Sequence, residues 1–308
     1  MIRHLLAARH LESSEITGIL NAAAEYKERV INGENVEHGN RRSVGLLFFE
    51  NSTRTRVSFE QAANYLGYRV LNFSGAGSSM SKGETLKDTI LTLRYERLEC
   101  LVMRHKASGA PALAAKYFDG PVINAGDGQH EHPTQALGDA LTILERKGDI
   151  QGLRVAIVGD VEHSRVARSN AWLLSKLGAE IRFVGPRTLL PSHTGKLPGT
   201  VYYDLASGIA DADVVMCLRL QRERMSDGRI SSIGEYTRMY QINRSTLRYA
   251  HPEAIVLHPG PLNRGIEVDD AVADSEASCI NEQVTNGVFV RMAALDWVFR
   301  GVKEGQLA

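Results

Sequence analysis

Along this chain, short apolar runs bounded by turn residues alternate with longer stretches whose apolar positions recur at helical spacing. The runs SVGLLFF (43–49), YRVLNF (68–73), ECLVMR (99–104) and PVIN (121–124) read as buried strands, and RVSFEQAANYL and LKDTILTLRYE between them read as helices. This β-α-β-α rhythm implies a parallel sheet with helices on both faces, because a parallel crossover needs about a dozen residues. The rhythm repeats after Gly152 with LRVAIVG (153–159), AEIRFVG (179–185), ADVVMC (212–217) and AIVLHP (254–259). The predicted fold is therefore α/β, with two doubly wound parallel-sheet domains of similar size linked by helices.

Between the two sets of strands lies PTQALGDALTILERKG (133–148), with proline at a helix start and glycine just past its end. The expected division is a first domain over 1–134, a connecting helix over 135–149 and a second domain over 150–284. A last helical stretch over 285–308 returns to complete the first domain. The segments 75–83 and 218–232 are polar, glycine- or arginine-rich and poorly periodic, and are expected to be mobile loops that serve a small anionic ligand.

With 308 residues, 43% hydrophobic and 23% charged, the chain can bury one large core or two ordinary ones. Lysine plus arginine and aspartate plus glutamate both number 36, so no global field recruits nucleic acid or an anionic membrane, and any basic site must be local. No apolar run approaches the roughly 20 residues that span a bilayer, and MIRHLLAARHLESSE meets acidic residues too early for a secretory signal. A cytoplasmic location is expected. Cys100, Cys217 and Cys279 are far apart, without paired metal spacing, and read as reduced core residues rather than catalytic thiols.

The segment Glu50-Asn51-Ser52-Thr53-Arg54-Thr55-Arg56 falls between a predicted strand and an amphipathic helix. A helix N-terminus carries unpaired N–H groups and a partial positive charge, so hydroxyls and arginines there make a preorganised phosphate cradle. Taken alone, the segment also fits an ordinary cap with two solvated arginines. His130-Glu131-His132-Pro133-Thr134-Gln135 follows PVIN and AGDG, which reads as flexible, at the carboxyl end of another strand, where ligands collect in open α/β sheets. A histidine and a glutamine opening a helix can bond a carbonyl oxygen and an amide. Plain helix capping is the alternative, and a metal reading of His130 and His132 lacks a third ligand. Arg104 ends ECLVMR in the same manner. One strand-end arginine is usually a surface ion pair, but three polar groups at three strand ends of one half-chain favour a shared anion site.

Ser52-Thr53-Arg54-Thr55-Arg56, Met103-Arg104-His105 and His132-Pro133-Thr134-Gln135 resemble the motifs of aspartate and ornithine carbamoyltransferases, in order and over essentially the whole chain. The resemblance implies an active site in the cleft between the two domains. Ser52, Thr53, Arg54 and Thr55 would hold the phosphate of carbamoyl phosphate, Thr55, Arg104 and His132 the carbonyl oxygen, and Gln135 the carbamoyl amine, with Gly260 and Pro261 also at this substrate. The loop from Ser78 to Thr85 looks like the lysine loop of the aspartate enzymes, in which a serine and a lysine, here Ser78 and Lys82, reach a neighbouring subunit's site. Without the resemblance Lys82 reads as a solvated loop charge. Arg165, Arg219 and Gln221 match positions that hold the aspartate carboxylates, and fixed guanidinium forks suit an acidic substrate. Glu50 would pair with Arg54 or, by the resemblance, bridge to Arg165.

The ornithine branch carries a His-Cys-Leu-Pro segment and an Asp…Ser-Met-Gly segment. This chain has His258-Pro259-Gly260-Pro261 and Arg219-Leu220-Gln221-Arg222-Glu223-Arg224 instead, which places the resemblance in the aspartate branch. That branch moves the carbamoyl group onto the amine of L-aspartate, the committed step of pyrimidine synthesis, in homotrimers with shared sites and with no metal or organic cofactor. Some relatives assemble further with dihydroorotase or regulatory chains. Among competing readings, a dinucleotide enzyme fails because VAIVGD (155–160) supplies only Gly159 of the G-x-G-x-x-G fingerprint, and no G-x-x-x-x-G-K-[ST] loop is present. A scaffold subunit without chemistry is disfavoured by the retained arginines, Lys82, His132 and Gln221.

Overall fold

The computed structural model describes residues 2–74, 83–191, 197–220 and 232–301. The chain divides into two compact units: one comprises the residues up to Leu141 and those from Thr285 onward, the other Thr142–Val284.

The first unit is built on four parallel strands, β1 (Ser43–Phe48), β2 (Arg69–Ser74), β3 (Cys100–His105) and β4 (Val122–Asp127), in the order β2-β1-β3-β4. Every residue of β1 is buried, as expected of a central strand covered on both faces and written as a continuous apolar run. Helices α2 (Thr53–Tyr65), α3 (Leu86–Tyr95) and α4 (Ala110–Tyr117) make the crossovers. Ile90 and Leu93 of α3 and Ala110 and Ala114 of α4 share one apolar cluster with Leu47, Leu101, Met103 and Val122 of the sheet. The free edge of β4 is covered by the N-terminal segment, where Leu5 N–H donates to Val122 O at 2.9 Å and Asn124 N–H to Leu5 O at 2.8 Å. An additional helix, α1 (Ser13–Ile31), precedes the sheet. It buries Ile16, Ile19, Leu20, Ala23 and Tyr26, the one-face spacing of an amphipathic helix.

The second unit holds β5 (Arg154–Val158), β6 (Glu180–Val184), β7 (Thr200–Tyr202), β8 (Val214–Cys217) and β9 (Ile255–Leu257), all parallel, in the order β7-β6-β5-β8-β9. Strand β7 is not among the predicted strands. It is a three-residue edge strand, exposed or half-buried throughout, so no apolar run announces it. Helices α6 (Arg165–Lys176), α7 (Leu205–Ile209), α8 (Ile233–Tyr240), α9 (Arg244–Leu247) and α10 (Asp270–Ala273) belong to this unit.

Helix α5 (Pro133–Lys147) runs from one unit into the other. The last helix, α11, spans Ile280–Phe299 and so starts before the predicted position 285. Among the described residues, no helix is long and apolar enough to cross a membrane.

Strand order puts one switch point in each sheet. In the first sheet β1 connects outward to β2 and β3 to β4, so the chain turns away on opposite sides between the carboxyl ends of β1 and β3. In the second sheet the same divergence falls between β5 and β8. Such switch points leave a crevice that neither crossover fills.

Candidate active site

At the first switch point, β1 runs through Phe49, Glu50 and Asn51 into α2, whose N-cap residue is Ser52. Ser52 makes no capping hydrogen bond to the helix, whereas Thr85 caps α3 and Ser164 caps α6 by accepting the N–H three residues on. The first turn of α2 therefore keeps N–H groups without a side-chain partner from Ser52, which suits an anion. Thr55 is buried one turn in, while Thr53 and Arg54 are exposed.

Arg104 lies on the neighbouring strand, paired in register with Phe48 of β1. Its Nη1 donates to Ala125 O of β4 at 3.3 Å and its Nη2 lies 3.5 Å from Glu50 Oε1. Arg104 thus ties the ends of β1, β3 and β4 together. This Glu50–Arg104 pair was in neither expectation for Glu50.

The segment leading to His132 is rigid, contrary to the flexible reading of AGDG: those residues continue β4 to Asp127 and are buried throughout. Its order comes from a closed set of hydrogen bonds. Asn124, fully buried, donates to Leu6 O at 2.9 Å and to Asp127 Oδ1 at 2.8 Å and accepts from Gly126 N–H at 2.8 Å. Asp127 also accepts from the N–H groups of Gly109 and Glu131 and faces His130 Nδ1 at 3.0 Å. Burial pushes the Asp127 carboxyl up, but the bonds from His130, Gly109 and Asn124 outweigh it and hold the carboxyl below its usual range. Glu131, 2% exposed, accepts the Ala8 N–H at 2.5 Å. His130 is accordingly a structural partner of Asp127, while His132 is buried at the mouth of α5 and its carbonyl accepts the N–H of Gln135 at 3.0 Å. Among the described residues no group of three or more His, Cys, Asp or Glu side chains is placed to hold a metal ion.

At the second switch point, β5 is followed by Gly159 and Asp160 before α6. Asp160, fully buried, faces His163 Nδ1 at 2.7 Å, Ser164 caps α6, and Arg165 opens the helix with 8% exposure. Arg219, half-buried, follows β8, where Leu218 N–H donates to Val158 O at 2.8 Å and extends the β5–β8 pairing. After β9, His258 organises the segment containing Gly260 and Pro261, which are joined by a cis peptide. Its Nδ1 accepts from Gly260 N–H at 2.8 Å, so the ring proton sits on Nε2 and donates to Glu267 Oε1 at 3.2 Å. Glu267 Oε1 also accepts from Asn263 N–H at 2.7 Å.

Ser78, Lys82 and Gln221 lie outside the described residues, as does most of the two predicted loops. Cys100, Cys217 and Cys279 are buried and unbridged, and burial pushes all three thiols up, away from nucleophilic use. Asn124, Asp127, Glu131 and Glu267 were not singled out from sequence. The alternation of Asn124 and Asp127 with glycine in NAGDG was the available signal, since small polar residues between glycines at a strand end also fit a hydrogen-bonded turn.

Fold and site together define a two-domain parallel α/β protein that gathers hydroxyl, guanidinium and imidazole donors at its switch points. Residues 3–145 match the family model described as "Aspartate/ornithine carbamoyltransferase, carbamoyl-P binding domain", and residues 151–298 match "Aspartate/ornithine carbamoyltransferase, Asp/Orn binding domain". The chain belongs to the aspartate/ornithine carbamoyltransferase family. It is 52% identical over 308 residues to the "Aspartate carbamoyltransferase catalytic subunit" of Gluconacetobacter diazotrophicus, covering 97% of this chain and 93% of that one. Among solved structures, it is similar to the aspartate transcarbamoylase from Trypanosoma cruzi in complex with carbamoyl phosphate and aspartate, with TM-score 0.85, 32% identity and 95% of each chain covered. It is also similar to the ornithine carbamoyltransferase from Pyrococcus furiosus, with TM-score 0.86, 30% identity and 98% of each chain covered.

Proposed function

We propose that this chain transfers the carbamoyl group of carbamoyl phosphate to the amine of L-aspartate, giving N-carbamoyl-L-aspartate and phosphate. The backbone likeness alone does not choose between amino acids, since the TM-scores to the ornithine and aspartate enzymes are 0.86 and 0.85. The observation that carries the choice is the 52% identity with an aspartate enzyme's catalytic subunit over nearly the full length of both chains.

In this reading the phosphate sits at the start of α2 on Ser52, Thr53, Arg54 and Thr55, where N–H groups and a guanidinium meet a dianion. The neutral amine of aspartate attacks the carbamoyl carbon, and negative charge grows on the carbonyl oxygen. Thr55, Arg104 and His132 donate to that oxygen, and Gln135 holds the carbamoyl amine. Such donors stabilise charge that develops only as the bond forms, so their effect falls on the rate. Phosphate then leaves with its electron pair and is basic enough to take the amine's proton, so no protein nucleophile is required.

Arg165 and Arg219 bind the two carboxylates of aspartate, joined by Gln221 and by Ser78 and Lys82 from a neighbouring subunit of a homotrimer. Gly260 and Pro261 border the carbamoyl group. Carbamoyl phosphate binds first, because it completes the place where aspartate docks, and the enzyme works in the cytoplasm, supplying the committed step of pyrimidine synthesis. The reading is tested by offering carbamoyl phosphate with aspartate and, in parallel, with ornithine. Carbamoylated aspartate is the expected product, and carbamoylated ornithine, or neither product, would reject the assignment.

A further inference from the structure

Two ionisable groups of the first unit are buried behind the site and have no part in the steps above. Asp139, one turn after Gln135 on α5, is fully buried, and Arg291 on α11 is 4% exposed. Gln135 Nε2 donates to Asp139 Oδ1 at 2.8 Å. A carboxylate only accepts hydrogen bonds, so turning the amide over would set oxygen against oxygen. Asp139 thereby determines which end of the Gln135 amide is left for another partner, and that end is the carbonyl oxygen.

The charge of Arg291 attracts that of Asp139. Burial lowers the guanidinium to about 10 and the attraction of Asp139 works against that, so Arg291 stays charged at neutral pH. Its Nη1 donates to Gly287 O at 2.7 Å and to Ser58 Oγ at 2.9 Å, and its guanidinium carbon lies 5.3 Å from the centre of the Phe59 ring. Ser58 and Phe59 belong to α2, the helix that begins with the phosphate cradle. Helices α5 and α11 approach each other at Gly138 and Gly287. A Cβ on Gly138 would make ordinary contact with Gly287 Cα at 3.6 Å, and a Cβ on Gly287 would press on Arg291 Nη1 of the same helix. One buried unit therefore connects the helix of the cradle to the orientation of Gln135.

We propose that Asp139, backed by Arg291, is a positioning residue that presents the carbonyl oxygen of Gln135 to the N–H of the carbamoyl group. The inference rests on the carbamoyl-transfer reading and deepens it: an acceptor fixed in this way selects a phosphate ester bearing an amide over one bearing a methyl.

The test is Asp139→Asn, whose amide lets Gln135 adopt either orientation. We expect kcat/KM for carbamoyl phosphate to fall about tenfold or more. The inhibition constant of acetyl phosphate, which has a methyl in place of the amine, should stay within about twofold of the parent, and the loss in kcat/KM should vanish in a Gln135→Ala background. Equal losses for both phosphates, or a full effect that persists without Gln135, would assign Asp139 a purely structural role and overturn the proposal. If Asp139→Asn does not fold, Asp139→Asn combined with Arg291→Met removes both buried charges and carries the same comparison. If the parent chain fails to carbamoylate aspartate, the proposed function falls. The side-chain amide resonance of Gln135 then still decides the orientation: unchanged between parent and Asp139→Asn, it rejects the inference, and displaced, it supports it.

Discussion

A serine at a helix N-cap normally accepts the N–H three residues on, and Ser52 does not. This leaves the Ser52 hydroxyl out of helix capping, in keeping with the proposed phosphate cradle, and it sharpens the expectation for Arg54, the exposed guanidinium beside it. Arg54→Ala should lower kcat by about 100- to 1,000-fold, the usual effect of removing one preorganised donor, with thermal melting unchanged. Steady-state turnover close to the parent's would take Arg54 out of the cradle. Asp127 bears a different kind of prediction. Its folded carboxyl titrates below the ordinary range, so its contribution to stability is complete above the unfolded value and disappears as pH falls through the folded one. Asp127→Asn should therefore melt below the parent at pH 7, and the gap should close on acidification below about pH 4. A gap that widened in acid would show the sign to be wrong.

At the scale of elements, the site depends on three parallel strands ending side by side, and hence on turns that set their register. Gly120 stands between α4 and β4, where a Cβ would collide with the carbonyl oxygen of Glu99 and lie 2.7 Å from the Phe118 ring. Backbone on one side and a buried ring on the other leave no room to yield. Gly120→Ala should cost about 1–3 kcal/mol in urea unfolding, as overpacking does, by forcing β4 away from β3. A loss below about 0.5 kcal/mol would mean that the turn gives way and the register does not depend on it.

For the whole molecule, the proposed order of binding has a thermodynamic signature. A ligand that binds only the folded protein adds about 2.7 kcal/mol at 100 times its dissociation constant. Carbamoyl phosphate alone should therefore raise the melting temperature, and aspartate should do so only when carbamoyl phosphate or phosphate is present. A comparable rise with aspartate alone would contradict ordered binding. The proposed trimer gives a second whole-molecule test: mixing Lys82→Ala chains with Arg54→Ala chains should recover activity, because shared sites would combine intact Lys82 from one chain with intact Arg54 from another. Mixtures no more active than either variant would argue against shared sites.

The sequence alone determined the parallel α/β class, most strand positions and the adjacent groups of the motifs at 50–56 and 130–135. It could do so because their chemistry is contiguous: a strand end, a helix start and the donors between them lie within a few residues. Tertiary structure decided what those donors lean on. Arg291 meets Ser58 across 233 positions and Glu131 meets the Ala8 N–H across 123. Strand β7 and the rigidity of NAGDG were hidden for the same reason, since an edge strand is defined by its neighbour and a glycine-rich turn is held by whatever packs around it. Local propensity and periodicity report the backbone's own preferences, whereas a buried charge or a fixed amide exists only once the chain has brought its partner from elsewhere.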